Sequence, residues 1–149
     1  MAPGLVGRAA ELAEINARFS RVDGPAAVVL LGDPGIGKTR LLAAAAEELP
    51  AHRRFSVAGY EVERDVPLAA IAPFLRELGA RRRNGPLAQL LHGEAAAPID
   101  PVRVFEAAHQ ALTSEDSTVL TVDDLQWLDD VSLALIHYLV RGAAAEGKP

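Results

Sequence analysis

The sequence predicts an α/β fold with a mainly parallel sheet. Short apolar or β-rich runs alternate with segments of helical periodicity along the chain, a pattern typical of parallel strands connected by helices. A glycine-rich stretch at residues 32–39 separates one apolar run from one helical segment, which indicates a turn from a strand into a helix. Half of the 149 residues are hydrophobic and 23 % are charged, so we expect a packed core rather than a disordered chain.

The first part of the chain predicts a helix, a strand and a second helix. The first helix is indicated by Leu12, Ile15 and Phe19, which fall on one face. The apolar run at residues 26–31 lies between Gly24-Pro25 and Gly32, and it predicts a buried strand. The second helix follows the glycine stretch and ends at Pro50. Its apolar residues recur at helical spacing: Leu41, Leu42, Ala45, Ala46 and Leu49.

The middle of the chain predicts a strand followed by helices. The strand covers residues 54–59, with Phe55 and Val57 as its apolar members. In the next helix Pro73 interrupts the pattern, so regular helix is expected only from about Ile71, with a break at Gly79. A short helix at residues 87–91 and an alanine-rich loop at 94–99 follow. Asp100-Pro101 is a helix start, because an acidic N-cap precedes proline at the first helical position. The expected apolar face of this helix is Val102, Phe105, His109 and Leu112.

The last part predicts a strand and a final helix. Residues 117–122 are rich in β-branched side chains and end on Asp123-Asp124. Asp130 is the expected cap of a helix that Gly142 ends. The expected apolar face of this helix is Leu133, Ile136, Leu139 and Val140.

The glycine stretch carries the strongest functional signal. Residues 32–39, Gly-Asp-Pro-Gly-Ile-Gly-Lys-Thr, fit the pattern G-x-x-x-x-G-K-[ST] of a phosphate-binding P-loop. A triphosphate is held by backbone N–H groups at a helix N-terminus, and glycines allow the backbone to turn inward around it. In this loop Lys38 is expected to contact the β- and γ-phosphates and Thr39 to bind Mg²⁺. The expected nucleotide-binding residues of the loop and the following turn are Gly32, Gly35, Ile36, Gly37, Lys38, Thr39 and Arg40.

The acidic pair at the end of the last predicted strand supplies a second half of the site. Ligands of open α/β sheets lie at the carboxyl ends of the strands. We therefore expect Asp123 to act on the Mg²⁺ side, through water, and Asp124 to orient or activate the attacking water, with Lys38 as the second catalytic residue. Acids after strands are also common as helix caps, so the pair alone does not decide between these interpretations.

Charge and composition exclude several other classes. A net charge of −5 argues against nucleic acid as a direct partner of this segment. The absence of cysteine excludes disulfides, thiolate metal sites and cysteine nucleophiles. No apolar run reaches the roughly 18 residues of a membrane helix, and the N-terminus has no signal-peptide pattern. We expect a cytoplasmic protein without a membrane partner.

The motifs together resemble a known family. Their order is Leu-Val-Gly-Arg at 5–8, the P-loop continued as Arg-Leu-Leu at 40–42, Val-Asp-Asp-Leu-Gln-Trp-Leu-Asp at 122–129 and Ser-Leu-Ala-Leu at 132–135. This order resembles the AAA-type signal-transduction ATPases of the STAND class, found in large LuxR-type bacterial transcriptional regulators. The resemblance implies a three-layer α/β/α P-loop NTPase that binds ATP and Mg²⁺. It also implies that Val6, Gly7 and Arg8 lie beside the adenine, although Ala9 stands where the family usually has Glu.

The resemblance also implies a larger domain. In that family the core continues with a sensor strand, inserted between the P-loop strand and the strand of the acidic pair, and with a helical lid. Residues 1–149 are therefore expected to be the N-terminal part of a single AAA/STAND-type ATPase domain, incomplete at the C-terminal end. Besides ATP and ADP, the implied partners are other domains of a longer regulator or further copies of the chain.

Three functional hypotheses follow. The first is a regulatory domain that binds ATP with Mg²⁺, hydrolyses it slowly and acts as a switch. The second is a nucleotide-binding interaction module with no hydrolysis of its own. The third is a fragment of a longer regulator that does not fold alone. A small-molecule kinase shares the P-loop, but no acceptor-binding motif is visible.

Overall fold

The computed structural model describes residues 7–20, 27–92, 100–114 and 117–146. The predicted loop at 94–99 and the residues Val6, Ala26, Glu115 and Asp116 lie outside the described residues. The helices are α1 (Ala9–Ser20), α2 (Lys38–Glu48), α3 (Ala72–Arg81), α4 (Pro86–His92), α5 (Pro101–Thr113) and α6 (Asp130–Glu146). The strands are β1 (Arg53–Ala58) and β2 (Thr118–Asp123), and short 3-10 helices follow them at Glu61–Glu63 and Leu125–Trp127.

The two strands form a parallel pair, as the α/β prediction requires. Their register joins Arg53 to Thr118 and Ala58 to Asp123. Since parallel strands need a long crossover, the chain between them carries α3, α4 and α5. The predicted α/β class with a parallel sheet is confirmed.

Helices cover both faces of this sheet. Side chains alternate along β1, so that Phe55 and Val57 are buried while Arg54 and Ser56 point to the opposite face. The face of Phe55 packs against α3, α5 and α6, and the Phe55 and Phe74 rings meet edge to face with centroids 5.1 Å apart. This sheet cluster forms the main core. Its buried residues are Phe55, Val57, Ala70, Ile71, Phe74, Leu75, Leu78, Leu87, Val104, Ala107, Ala108, Leu128, Leu135 and Leu139.

A second, smaller cluster joins α1 to α2. Its buried residues are Ile15, Leu41 and Ala45. Leu12, Phe19, Val28 and Leu30 pack around them. The apolar spacings that predicted α1 and α2 therefore correspond to real packing faces. We call this set the α1–α2 cluster.

The side chain of Arg54 attaches α2 to the sheet. It donates to the carbonyl oxygens of Ala46 at 2.7 Å and Leu49 at 2.8 Å, at the C-terminal end of α2. These carbonyls have no partner within the helix, so a cation there satisfies them by hydrogen bonds and also interacts favourably with the helix dipole. Helix α2 also packs against β2. The second helical layer is thus held on the Arg54 face of the sheet.

The predicted strand before the P-loop is wrong for the residues described. Residues 27–33 form no strand, and Val29 and Leu31 are 69 % and 90 % exposed. An apolar run becomes a strand only when a neighbouring strand satisfies its backbone groups, and no described strand lies alongside it. Val28 and Leu30 instead turn toward the α1–α2 cluster.

The start of α6 differs from the prediction by one residue. Asp130 is the first helical residue, and the cap is the buried Asp129, whose Oδ1 accepts from the backbone N–H of Ser132 at 2.9 Å. The same oxygen accepts from the backbone N–H of Leu68 at 2.9 Å. Burial raises the pKa of the Asp129 carboxyl, but hydrogen bonds from Ser132, Leu68 and Ala70 outweigh burial and hold this pKa below its ordinary value.

Two glycines that were expected to break helices lie inside them. Gly79 is within α3 and Gly142 within α6. A Cβ at Gly79 would lie 3.2 Å from Leu91 of α4, and a Cβ at Gly142 would overlap the ring of His109 of α5. These glycines permit neighbouring helices to approach closely, and tertiary packing outweighs their low helix propensity.

The buried faces of α5 and α6 are also rotated from the predicted ones. In α5 the buried residues are Val104, Ala107 and Ala108, whereas Val102 is 55 % exposed. In α6, Leu135 and Leu139 are buried, and Leu133 and Val140 are exposed. Helix α5 contacts α3, α4 and α6, so small residues at its close crossings occupy the interior. The predicted cap of α5 is confirmed, because Asp100 accepts from the backbone N–H of Val102 at 3.0 Å.

Candidate functional site

The glycine loop at residues 32–39 turns into α2 through two glycines in the left-handed region. Gly35 and Gly37 have φ of 78° and 93°, in the left-handed region that favours glycine. The space where a Cβ would stand is open at both positions. At Lys38 the chain enters α2, and no side chain caps the helix N-terminus at Gly37. The first-turn N–H groups of α2 are thus left uncapped by any side chain, as a phosphate cradle requires.

Lys38 lies folded over this loop. Its Nζ donates to the carbonyl oxygens of Gly32 at 2.8 Å and Asp33 at 2.9 Å. Both acceptors are neutral, so a phosphate oxygen would make a stronger, charge-assisted bond with the same ammonium group. Thr39 and Arg40 are exposed on the first turn of α2. The triphosphate that the sequence predicts therefore fits the residues present.

The N-terminal motif contacts the loop. Gly7, with φ of 78°, precedes α1, and the guanidinium of Arg8 reaches the P-loop. Arg8 Nη2 donates to the carbonyl oxygen of Ile36 at 2.7 Å, and Nη1 pairs with Glu11 at 2.9 Å. Val6 lies outside the described residues. Arg8 and the loop, which are far apart in sequence, are thus brought together.

The acidic pair ends β2. Asp123 is half-buried and its carbonyl accepts from the backbone N–H of Gly59 at 3.0 Å. Its carboxylate accepts from the backbone N–H of Asp124 at 3.0 Å. Asp124 is exposed and has φ of 49°, a conformation that is costly for a residue with a Cβ. Gln126 Nε2 donates to the Asp124 carboxylate at 2.9 Å, so both acids have a fixed local partner.

Sequence reasoning missed Gly59, which shapes this corner. A Cβ there would lie 2.5 Å from the carbonyl oxygen of Asp124 and 2.9 Å from the carbonyl carbon of Trp127. The position of Gly59 directly after β1 was the available signal, because a glycine at a strand end often marks close backbone approach. Gly59 allows β1 to end against the acidic corner.

The two halves of the site are connected through α2. Asp123 alternates with Leu120 and Val122 along β2, so its side chain belongs to the sheet face that carries Arg54 and α2. Among the residues described, no hydrogen bond or ion pair joins the P-loop to Asp123 or Asp124. Within the described part of the chain, no group of three or more acids or histidines gathers there either. The protein would offer Mg²⁺ the Thr39 hydroxyl and one carboxylate, which is typical where phosphates and water complete the shell.

A glycine loop that opens a helix, together with a parallel sheet whose strand ends on acids, is characteristic of P-loop nucleotide-binding domains. The family model of the AAA ATPase domain matches residues 4–148, and the chain belongs to this family. The predicted AAA-type P-loop ATPase is confirmed at this level. Comparison with curated proteins and with solved structures found no match. In the described part of the chain, no helix is long and apolar enough to cross a membrane.

Proposed function

We propose that this chain binds ATP with Mg²⁺ and acts as a slowly hydrolysing regulatory ATPase domain. The observation that carries the proposal is the open P-loop cradle at the uncapped N-terminus of α2, with Lys38 over it. Gly32, Gly35, Ile36, Gly37, Lys38, Thr39 and Arg40 are the proposed nucleotide contacts, with Thr39 and Asp123 on the Mg²⁺ side.

The direction of α2 supports a single site for both halves. Its C-terminal end is tied to Arg54, near the amino end of the sheet, and it packs against β2. A helix of 11 residues spans about 16 Å and a strand of 6 residues about 20 Å. We infer that the N-terminus of α2 is directed toward the Asp123 end of β2, where Asp124 orients the attacking water.

Nucleotide binding is tested by titrating Mg-ATP into the wild-type chain and the Lys38→Ala variant. Loss of a charge-assisted contact is expected to weaken binding by about 10- to 100-fold. Arg103→Ala, which removes an exposed cation from α5, is the matched control and is expected to bind as wild type does. Equal affinity of wild type and Lys38→Ala would contradict the proposal.

Hydrolysis is tested separately, because a nucleotide-binding interaction module remains the second candidate. That candidate is favoured by the lack of a direct contact between the P-loop and the acidic pair among the described residues. If Asp124 orients water, Asp124→Asn abolishes phosphate release and leaves Mg-ATP affinity within a few-fold. Tight binding by the wild type without turnover would select the interaction module.

We also propose that residues 1–149 are the N-terminal part of one AAA/STAND-type domain. The supporting observation is the exposed apolar run at Val29 and Leu31, which a further strand would cover. In a longer chain the amides of residues 28–31 are expected to exchange slowly, and in the 149-residue chain rapidly. The place in a LuxR-type transcriptional regulator and association with other domains or copies rest on the resemblance of the motifs. The proposed cytoplasmic location rests on the sequence, in which no apolar run reaches the length of a membrane helix.

A further inference from the structure

Arg8 is positioned both by α1, at whose start it lies, and by the P-loop, which its guanidinium contacts. Its backbone carbonyl accepts from the N–H of Leu12 at 3.1 Å, so Arg8 stands directly at the start of α1. The left-handed conformation of Gly7 turns the chain into this helix. The Arg8 side chain is 31 % exposed and held between Glu11 and the Ile36 carbonyl.

The helix that carries Arg8 is itself attached to the P-loop helix. Ile15 of α1 packs against Leu41 and Ala45 of α2. Asn16 of α1 also donates a hydrogen bond to Glu48 of α2. Because α2 begins at Lys38, the α1–α2 cluster fixes the distance between Arg8 and the loop.

The bond to Ile36 has a consequence for the next amide. The Ile36–Gly37 peptide is trans, so its C=O and N–H point in opposite directions. While Arg8 holds the carbonyl, the N–H of Gly37 is directed away from Arg8. Arg8 also holds the Ile36 carbonyl oxygen, which carries a partial negative charge, so this oxygen does not face a phosphate. If this peptide rotated, the Ile36 carbonyl would replace the Gly37 N–H as the group that faces a bound phosphate.

We propose that Arg8 is a positioning residue that orients the Ile36–Gly37 peptide of the P-loop, and that it thereby supports recognition of the triphosphate group independently of the base. This inference rests on the proposed nucleotide-binding function. It differs from the role implied by the resemblance, which places Arg8 beside the adenine. The two roles make different demands on the ligand.

The experiment compares two probes, Mg-ATP and inorganic triphosphate with Mg²⁺, which has no base. If Arg8 acts on the loop, Arg8→Ala weakens binding of both probes by the same factor, about tenfold for one lost charge-assisted bond. Arg8→Lys keeps a cationic donor group but not the guanidinium fork, and it is expected to recover part of the affinity for both. Arg103→Ala removes an exposed cation from α5, which does not line the cavity beside Arg8 and the P-loop, and is expected to change neither.

Each contrary result has a distinct meaning. An Arg8→Ala effect on Mg-ATP but not on triphosphate would overturn the inference in favour of base contact. An effect on neither probe, or wild-type binding of Mg-ATP without binding of triphosphate, would also overturn it. If Arg8→Ala does not fold, Arg8→Lys alone decides through the same comparison. Wild-type chain that binds neither probe would remove the proposed function itself, and the inference with it.

Discussion

At the scale of single residues, Gly59 controls the position of the acidic pair. Because an added Cβ would lie 2.5 Å from the Asp124 carbonyl oxygen, Gly59→Ala must displace backbone and not only a flexible side chain. We expect a loss of roughly 1–3 kcal/mol in the free energy of unfolding. Urea unfolding measures this change, and phosphate release from ATP reports whether Asp124 has moved.

The control for this substitution is Ser56→Ala, a change of similar size at an exposed position of β1, the strand that ends just before Gly59. It is expected to alter the free energy of unfolding by less than about 0.5 kcal/mol. Equal free energies of unfolding for Gly59→Ala and Ser56→Ala would contradict the close approach of the end of β1 to the Asp123-Asp124 pair.

The turn of the loop into α2 was predictable from sequence, whereas the residues that make long-range contacts in the fold were not. Gly35 and Gly37 belong to a local motif whose spacing predicts their left-handed conformation. Gly59 and Asp129 act on partners far away in sequence, the Asp124 corner and the Leu68 backbone. A motif describes neighbours along the chain, so long-range contacts of this kind are invisible in it.

At the scale of elements, the C-terminal end of α2 depends on Arg54. Arg54→Ala leaves the last carbonyls of α2 to water and is expected to destabilise the chain by about 0.5–1.5 kcal/mol. Arg54→Lys restores a cation near the helix dipole but not the fork of donors, so its stability should be intermediate. Urea unfolding checks the order, and equal stability of all three chains would contradict this capping role.

The start of α6 depends on the Asp129 carboxylate in a pH-dependent way. Its folded-state pKa lies below that of the unfolded chain, about 3.9, so its contribution to stability is complete above that value. The contribution is lost as the pH falls through the folded-state pKa. Asp129→Asn is expected to cost about 1–3 kcal/mol near neutral pH and progressively less in acid.

This prediction is checked by urea unfolding of both chains at several pH values between neutral and strongly acidic. Asp130→Asn removes the same charge at the neighbouring exposed residue and is the matched control. It should change stability by only a few tenths of a kcal/mol, as is usual for surface positions. A cost for Asp129→Asn that does not shrink in acid would show that charge is not the reason for it.

Some element boundaries are not determined by local sequence patterns. Asp100-Pro101 predicted the start of α5 because a cap is a local device. Gly142 did not end α6, because its lack of a side chain serves the contact with His109 of α5. The run at 27–31 has strand-like composition, yet a strand exists only with a partner. Composition cannot specify which partner is present.

At the scale of the whole molecule, the sheet cluster and the α1–α2 cluster contribute unequally to the stability of the fold. The sheet cluster includes both strands and helices α3 to α6, whereas the α1–α2 cluster has three buried residues. The phosphate-binding half of the proposed site lies on the weaker side, since the P-loop and Lys38 belong to α2 and its entrance, whereas Asp123 and Asp124 end β2 of the sheet cluster. Regions with few buried apolar contacts open more readily than the main core.

Amide hydrogen exchange tests this division directly. In the free chain, amides of α1 and α2 are expected to exchange at least about tenfold faster than those of α5 and β2, because local opening exposes them.

Mg-ATP at about 100 times its Kd stabilises the folded chain by about 2.7 kcal/mol. Exchange in α2 should then slow by up to about 100-fold, while that of α5 changes little. The Lys38→Ala chain, measured at the same nucleotide concentration, should slow by only about 2- to 10-fold, because its affinity is expected to be about 10- to 100-fold lower. Uniform exchange across both clusters would contradict the division, and slowing in Lys38→Ala as large as in the wild type would place the nucleotide somewhere other than the P-loop.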